Sequence, residues 1–470
     1  MAAAVPCGME VQVKGAVIGS EFRIDSEIVA GLTNKNSPVV ASNGSGYLVA
    51  WKDGNGSDTA HHIYGALLSS DPLNHTSQPL DFGGDVIPGG IPGGTGGWDQ
   101  MLASSSGRDY VLLWLKRDPN QCGLCSHFVG ATVTSSGGVT KVPELPYETD
   151  WSRPMSLGFL STNYFLAWDS SIGDYGVNVL FHLTGVAISS SGTALSPEPV
   201  QLTDFGISTQ ENPALASNGT NYLLAYRSAP SAQFLPYTVQ GRRLDANGSP
   251  LETNQFQISP KYADQVVSAS NGKDFLVAWV DVLHSSLSAA LVTGGEAVTN
   301  QITLPSLPGV TSANMALTFD GQQYLLIFGT TTQAMSGIYI LNRGNLLYPS
   351  APFPLLQEKP VQQVAVASAG NGLSLVVGID SGDPAGRVVG QFVSSQAPIV
   401  QSITRTGATV SLSWAGEIGR SYQVEYRNGL QDQSWSVLKP ATSSTNQIGV
   451  VTDSISAATP LRLYRVSALP

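Results

Sequence analysis

The chain has 470 residues; 12 % are charged, against a usual share of about 25 %, and 50 are glycine and 28 proline, a composition of strands and turns. Net charge is −11, and because residues 397–470 hold six Lys/Arg and four Asp/Glu, residues 1–396 carry −13. An acidic chain with no basic stripe excludes nucleic acid and anionic polymers or lipids as partners, and no apolar run approaches the roughly 18–20 residues of a membrane-spanning helix, so no membrane insertion is expected.

The start, Met-Ala-Ala-Ala-Val-Pro-Cys, has no charged segment and too short an apolar stretch for an intact signal peptide, and reads as a mature N-terminus behind an added initiator methionine. Residues 1–19 are then an extension. Glu21-Phe22-Arg23-Ile24 follows as a short strand, and after it one unit recurs at intervals of about 50 residues. Its clearest copies are SPVVASNGSGYLVAWKD from Ser37, NPALASNGTNYLLAYRS from Asn212 and QVVSASNGKDFLVAWVD from Gln265; weaker ones begin at Gln100, Met155, Met315 and Val364. Each is two apolar runs joined by a short turn, a glycine-containing dipeptide that supplies positive φ in all but the Met155 copy, so each is a β-hairpin. An aromatic closes the second run at Trp51, Trp114, Trp168, Tyr226, Trp279 and Phe328, with Gly378 in the last copy. A third strand, such as IYGALLSS from Ile63 or VVGQFVSS from Val388, and a short fourth, such as FQIS from Phe256, complete the unit.

Seven four-stranded units predict a seven-bladed β-propeller over residues 20–396. The last unit runs into Ala397-Pro398 without a fourth strand, and Glu21–Ile24 matches the pattern of Phe256–Ile258. The N-terminal strand is therefore expected to close the propeller, leaving no open sheet edge. From Ala397 the period breaks, and VSLSWAG, SYQVEYRNG, SWSVLKP, QIGVVTD and LRLYRVSA alternate cleanly as a small all-β sandwich over residues 397–470; a likeness to the fibronectin type III sandwich implies a core of Trp414, Tyr422, Val424, Tyr426, Tyr464 and Val466.

The unit "GSEFRI … PVVASNG … YLVAWKD … IYGALLSS" resembles a repeat of secreted bacterial proteins, adhesins among them, and the C-terminal segment resembles a fibronectin type III module. The resemblance implies a propeller in a secreted or cell-surface setting, with the last module as spacer, anchor or glycan contact.

No hydrolase, metalloprotease, phosphate-loop or calcium-loop motif occurs, so no cofactor is expected. Cysteines 7, 122 and 125 make no disulfide framework; Cys122-Gly-Leu-Cys125 reads as a disulfide clipping a loop, with a metal half-site including His127 as the alternative. His62, His127 and His182 share one register, three residues before a third-strand glycine; these are strand-edge histidines held by neighbouring groups, or else individual metal sites such as His61 and His62 with Asp58. The stretches leading into the first strands contribute Asn36, Asp99, Glu211, Asp264 and Asn314 around the channel. Convergent carboxylates there can bind a channel cation such as calcium, or serve as general acid and base on a polysaccharide; polar lining of a wet channel is the alternative. The reading that results is a non-enzymatic extracellular protein presenting loops to a glycan or cell-surface protein. A polysaccharide lyase or glycosidase at the channel mouth is the competing one.

Overall fold

A computed structural model describes residues 16–26, 33–54, 61–72, 77–86, 101–117, 125–150, 154–172, 180–204, 208–229, 237–259, 262–281, 284–294, 298–305, 310–330, 335–383, 386–395, 398–415, 421–429, 431–432, 434–443, 448–455 and 462–468. Among these every regular element is a β-strand. They form seven antiparallel sheets of four or five strands and two of three. The first strands of the seven, Thr33–Ser42, Met101–Ser105, Met155–Leu160, Thr209–Ser217, Ala263–Ser270, Val310–Phe319 and Val361–Ser368, neighbour one another in order, and the seventh returns to the first. The sheets therefore radiate from a closed ring.

Hairpin chemistry sets each sheet. In the turn after Ser42, the Asn43 side-chain oxygen accepts from the Ser45 and Gly46 amides at 3.0 and 2.9 Å while Gly44 takes φ of 88°. The same arrangement returns at Asn218 and Asn271. This is the Asx turn that Asn supports and that glycine, without a Cβ, completes. Asn43 and Asn218 also donate across the seam to the next turn, at Arg108 O and Lys273 O. The repeat's aromatics are buried between sheets: Trp51, Trp168 and Trp279 are at most 2 % exposed. At Gly378, a Cβ would lie 2.3 Å from Val361, so a valine of the neighbouring strand occupies the aromatic's space.

Closure follows from one packing rule. In the fourth sheet the ring of Phe256 lies on Gly241 of the third strand, where a Cβ would come within 2.8 Å of it. In the seventh, Val17–Arg23 pairs antiparallel with Arg387–Ser394, placing Phe22 opposite Gly390 with the same close approach, 2.9 Å. Phe22 stacks on Phe392 with ring centroids 5.4 Å apart, and the fully buried Ile24 donates its amide to Val388 O at 2.8 Å. The N-terminal strand thus does in the last sheet what a local fourth strand does elsewhere.

The repeat carries a further device that its apolar reading conceals. The first aromatic of the second strand donates its hydroxyl to the preceding sheet: Tyr47 to Leu373 O, Tyr222 to Asn163 O and Tyr324 to Asp274 O, each at 3.3 Å. Burial raises all three phenol pKa values above the ordinary range.

The two three-stranded sheets lie in the C-terminal segment: Ile399–Thr406, Thr409–Ala415 and Ile448–Ser454 in one, Ser436–Ser443, Ser421–Arg427 and Leu463–Ala468 in the other. Leu412, Trp414, Tyr422 and Val424 form their core, with Tyr464 and Val466 partly buried against it; Tyr426, expected in the core, is not part of it.

Candidate functional site

First strands begin where second strands end, so the residues at both positions gather at one end of the ring. Of the five channel residues read from sequence, Asp99 lies outside the described residues. Glu211 and Asp264, on adjacent sheets, are brought together by a residue the sequence reading passed over, Arg227. Glu211 faces Arg227 across the ladder between Thr209–Ser217 and Tyr222–Ala229. Its Oε2 accepts from Arg227 Nη2 at 2.6 Å and Nε at 3.2 Å, while Nη1 donates to Asp264 Oδ1 at 2.6 Å. The guanidinium also lies 4.4 Å from the centre of the Tyr237 ring, within cation–π range. Burial works to lower the Arg227 pKa, and the Glu211 and Asp264 charges outweigh it, so the net direction is upward. Arg227 follows Tyr226, the repeat aromatic; that register was the available signal. Tyr237 carries no repeat signal.

Asn36 and Asn314 do not join this group. Asn36 lies at the irregular pairing that opens the first sheet and Asn314 at that of the sixth, while Ser37 and Gln363, at the bulges of the first and seventh sheets, adopt φ of 53° and 56°. Ser37 donates its amide to Gln363 Oε1 at 2.6 Å, and Gln363 donates its own to Asn314 Oδ1 at 2.9 Å. Asn36 Oδ1 accepts from Ser37 Oγ at 3.1 Å. The amides therefore stitch the sixth, seventh and first sheets.

A second polar cluster marks the closure. Asp25, fully buried, accepts from Arg23 Nε at 2.7 Å and pairs with Lys35 Nζ at 2.8 Å; Lys35 also donates to Gly386 O of the last sheet at 3.3 Å. Beside it Asp53 is 1 % exposed, and neither carboxylate oxygen has a hydrogen-bond partner among the described residues. Burial pushes its pKa up to about 6, with the Asp25 charge adding to the rise and Lys35 and His62 opposing it.

The shared histidine register is real: His62 faces Asp53, His127 faces Lys116 and His182 faces Ser170, each opposite the second residue after the aromatic. Their surroundings differ. His62 Nε2 lies 2.5 Å from Oδ1 of Asp81, on the bulged fourth strand, and its ring stacks on Tyr64 at 4.3 Å; Asp58, the carboxylate expected beside it, lies outside the described residues. His127 Nδ1 is 3.6 Å from Glu144 Oε1, and His182 is buried, which lowers its pKa. Among the described residues no three His, Cys, Asp or Glu groups are arranged to hold a metal ion. Cys122 and the side chains of His61 and Cys125 lie outside them, so the disulfide reading does too.

Chemically, the end of the ring bearing Glu211 offers a guanidinium fixed between two carboxylates against a phenol ring. That is an inter-sheet strut in which one positive charge holds two negative ones.

No family model matches the sequence, and no curated protein matches it. Solved structures do share its fold. The BP39L lectin from Burkholderia pseudomallei is 14 % identical, with a TM-score of 0.52 over 81 % of this chain and 96 % of that one. The β-propeller domain of the Trilobed protease from Pyrococcus furiosus is 8 % identical, TM-score 0.44, over 76 % and 95 %. A putative 6-phosphogluconolactonase from Bacteroides fragilis is 9 % identical, TM-score 0.43, over 84 % and 94 %. The chain is an all-β protein with a β-propeller fold; the likeness to the lectin, with a TM-score above 0.5, speaks to fold alone.

Proposed function

We propose that this chain is a non-enzymatic, extracellular binding or structural protein, secreted or held at the cell surface. In this reading residues 20–396 are a seven-bladed propeller that presents its loops to a glycan or protein, and residues 397–470 a fibronectin type III-like spacer or anchor. The observation that carries it is the Arg227 strut. A glycosidase or lyase at the mouth needs a carboxyl group free to meet the substrate, and paired carboxyls separated by about 5–10 Å with room for sugar or water between them. Here Glu211 and Asp264 both hold one guanidinium at 2.6 Å, which fills the space between them.

Arg227 stacked on Tyr237 is the feature that favours the competing enzyme, since an arginine and a tyrosine in a cleft suit proton abstraction beside a carboxylate. A glycan array run beside a polysaccharide-degradation screen separates the two. The proposal expects retention of defined glycans or protein ligands with no shortened or unsaturated products. Degradation abolished by Arg227→Ala and by Tyr237→Phe contradicts it.

A further inference from the structure

The opposite end of the ring, where first strands turn into second strands, holds a cleft of about 420 Å³ between the first two sheets. That is within the roughly 300–1,000 Å³ of small-molecule sites. Its origin is a local difference in seam packing. In the second, third and fourth sheets, a glycine in the turn between the third and fourth strands packs against the sheet before it. Gly192 meets Val142 and Gly248 meets Phe165, both apolar, but Gly137 meets the exposed amide of Gln78. The seam between the first and second sheets is therefore polar where the next two are greasy.

The cleft's chemistry is uncharged. Leu67 and Leu68 give it an apolar side, and Ser45, Ser69, Ser77, Gln78 and Ser135 surround it, with the Tyr110 hydroxyl near Gly46. Several of these retain hydrogen-bonding capacity among the described residues. Gln78 uses its Nε2 on Ser136 O at 3.4 Å, leaving its Oε1 to accept. Ser69 Oγ accepts from the Asp71 amide at 3.0 Å, leaving its proton to donate. Ser77 donates to Ile24 O at 3.0 Å, leaving its lone pairs. Ser135 Oγ stands in the exposed turn that follows Tyr110's sheet partner, and it both donates and accepts. Asn43, by contrast, is committed on both sides to its turn and to Arg108 and serves as scaffold.

We infer that this cleft is a binding site for a neutral saccharide. A sugar presents hydroxyls that donate and accept together with an apolar C–H face, and the cleft offers mixed hydroxyl and amide groups around a leucine. No carboxylate, amine or guanidinium lines it, so it has nothing to pair with a charged ligand, and the −13 net charge of residues 1–396 disfavours an anionic glycan. The inference rests on the binding reading proposed above and places the site at the end of the ring away from Arg227.

Calorimetric titration of the intact chain with neutral di- and trisaccharides, and with sialylated and sulfated counterparts, tests it. Ser135→Tyr and the double variant Gln78→Ala/Ser135→Ala are compared with Ser190→Tyr, the matched turn position of the third sheet; melting curves check that each folds. The expected result is saturable binding of a neutral saccharide, weakened at least tenfold by both cleft variants and unchanged by Ser190→Tyr. Neutral binding that survives the cleft variants overturns the site while leaving a glycan-binding propeller standing. Absence of neutral binding, with or without binding of the anionic forms, also overturns it. Conversion of the titrant to products would instead remove the binding reading on which it rests.

Discussion

Two seams at the same end of the ring solve the problem of buried charge differently. Between the fourth and fifth sheets, one guanidinium meets two carboxylates and an aromatic face, and each charged group there has an ion-pair partner. Between the seventh and first, Asp25 takes both Arg23 and Lys35, and Asp53 is left buried with no hydrogen-bond partner among the described residues. The first seam joins sheets that are consecutive in the chain. The second joins chain regions more than 300 residues apart, with Lys35 reaching Gly386, so cations and the Phe22–Phe392 stack must do what covalent continuity does elsewhere. The lesson is that closure has priority over electrostatic economy: the group left unsatisfied sits next to the device that closes the ring.

Breaking the closure outright should have the largest effect. Deleting residues 1–25 removes Val17–Arg23 from the last sheet and exposes the ladder edge of Arg387–Ser394, an aggregation template. We expect the chain to lose its cooperative melt or to elute as aggregate in size-exclusion chromatography; a monomer with an unchanged melting temperature would show that the strand is dispensable. The Arg227 seam comes next. Arg227→Ala leaves Glu211 and Asp264 facing one another without a counter-charge, and denaturant unfolding should show a loss of about 2–3 kcal/mol, less than for a wholly buried pair because the cluster partly meets water.

Asp53 sharpens the contrast through pH. Its folded pKa, about 6, lies above the ordinary carboxyl value of 3.8, so the folded state holds the proton more tightly than the unfolded chain. Its contribution is greatest below the unfolded value and is lost as pH rises from about 4 to about 6. Stability should fall across that window by on the order of 1–3 kcal/mol, and Asp53→Asn should flatten the fall and raise stability at pH 7. A wild-type profile that rises through the same window would contradict this. The smallest effect belongs to the tyrosine stitch: Tyr222→Phe removes the hydroxyl bond to Asn163 O and should lower stability by about 1 kcal/mol in the same unfolding measurement.

Much of this architecture is legible in the chain. Asn-Gly turns and the terminal aromatics define the hairpins because both requirements are local, and Phe22 and Ile24 reveal the closure because a fourth-strand phenylalanine must lie on a third-strand glycine wherever it comes from. Glu211 and Asp264 were placed by the same register. Their partner was not, because an arginine ending an apolar run looks like a solvated strand end until the bulge at Asn212, φ 56°, turns it towards the neighbouring sheet. Asp81 escaped for a related reason. Its approach to His62 depends on irregular pairing in the fourth strand, which shifts the register between Ile63 and Tyr64. The cleft depends on a difference among glycine contacts at three seams, Gln78 against Val142 and Phe165, which becomes visible only when the sheets are set side by side.

The central claim is that this propeller binds without catalysing. The most direct measurement incubates the intact chain with the glycan it retains best and follows bound fraction and product formation in the same samples. Saturable binding with the glycan recovered intact is the predicted result. Time-dependent shortened or unsaturated products that disappear with Arg227→Ala would contradict it.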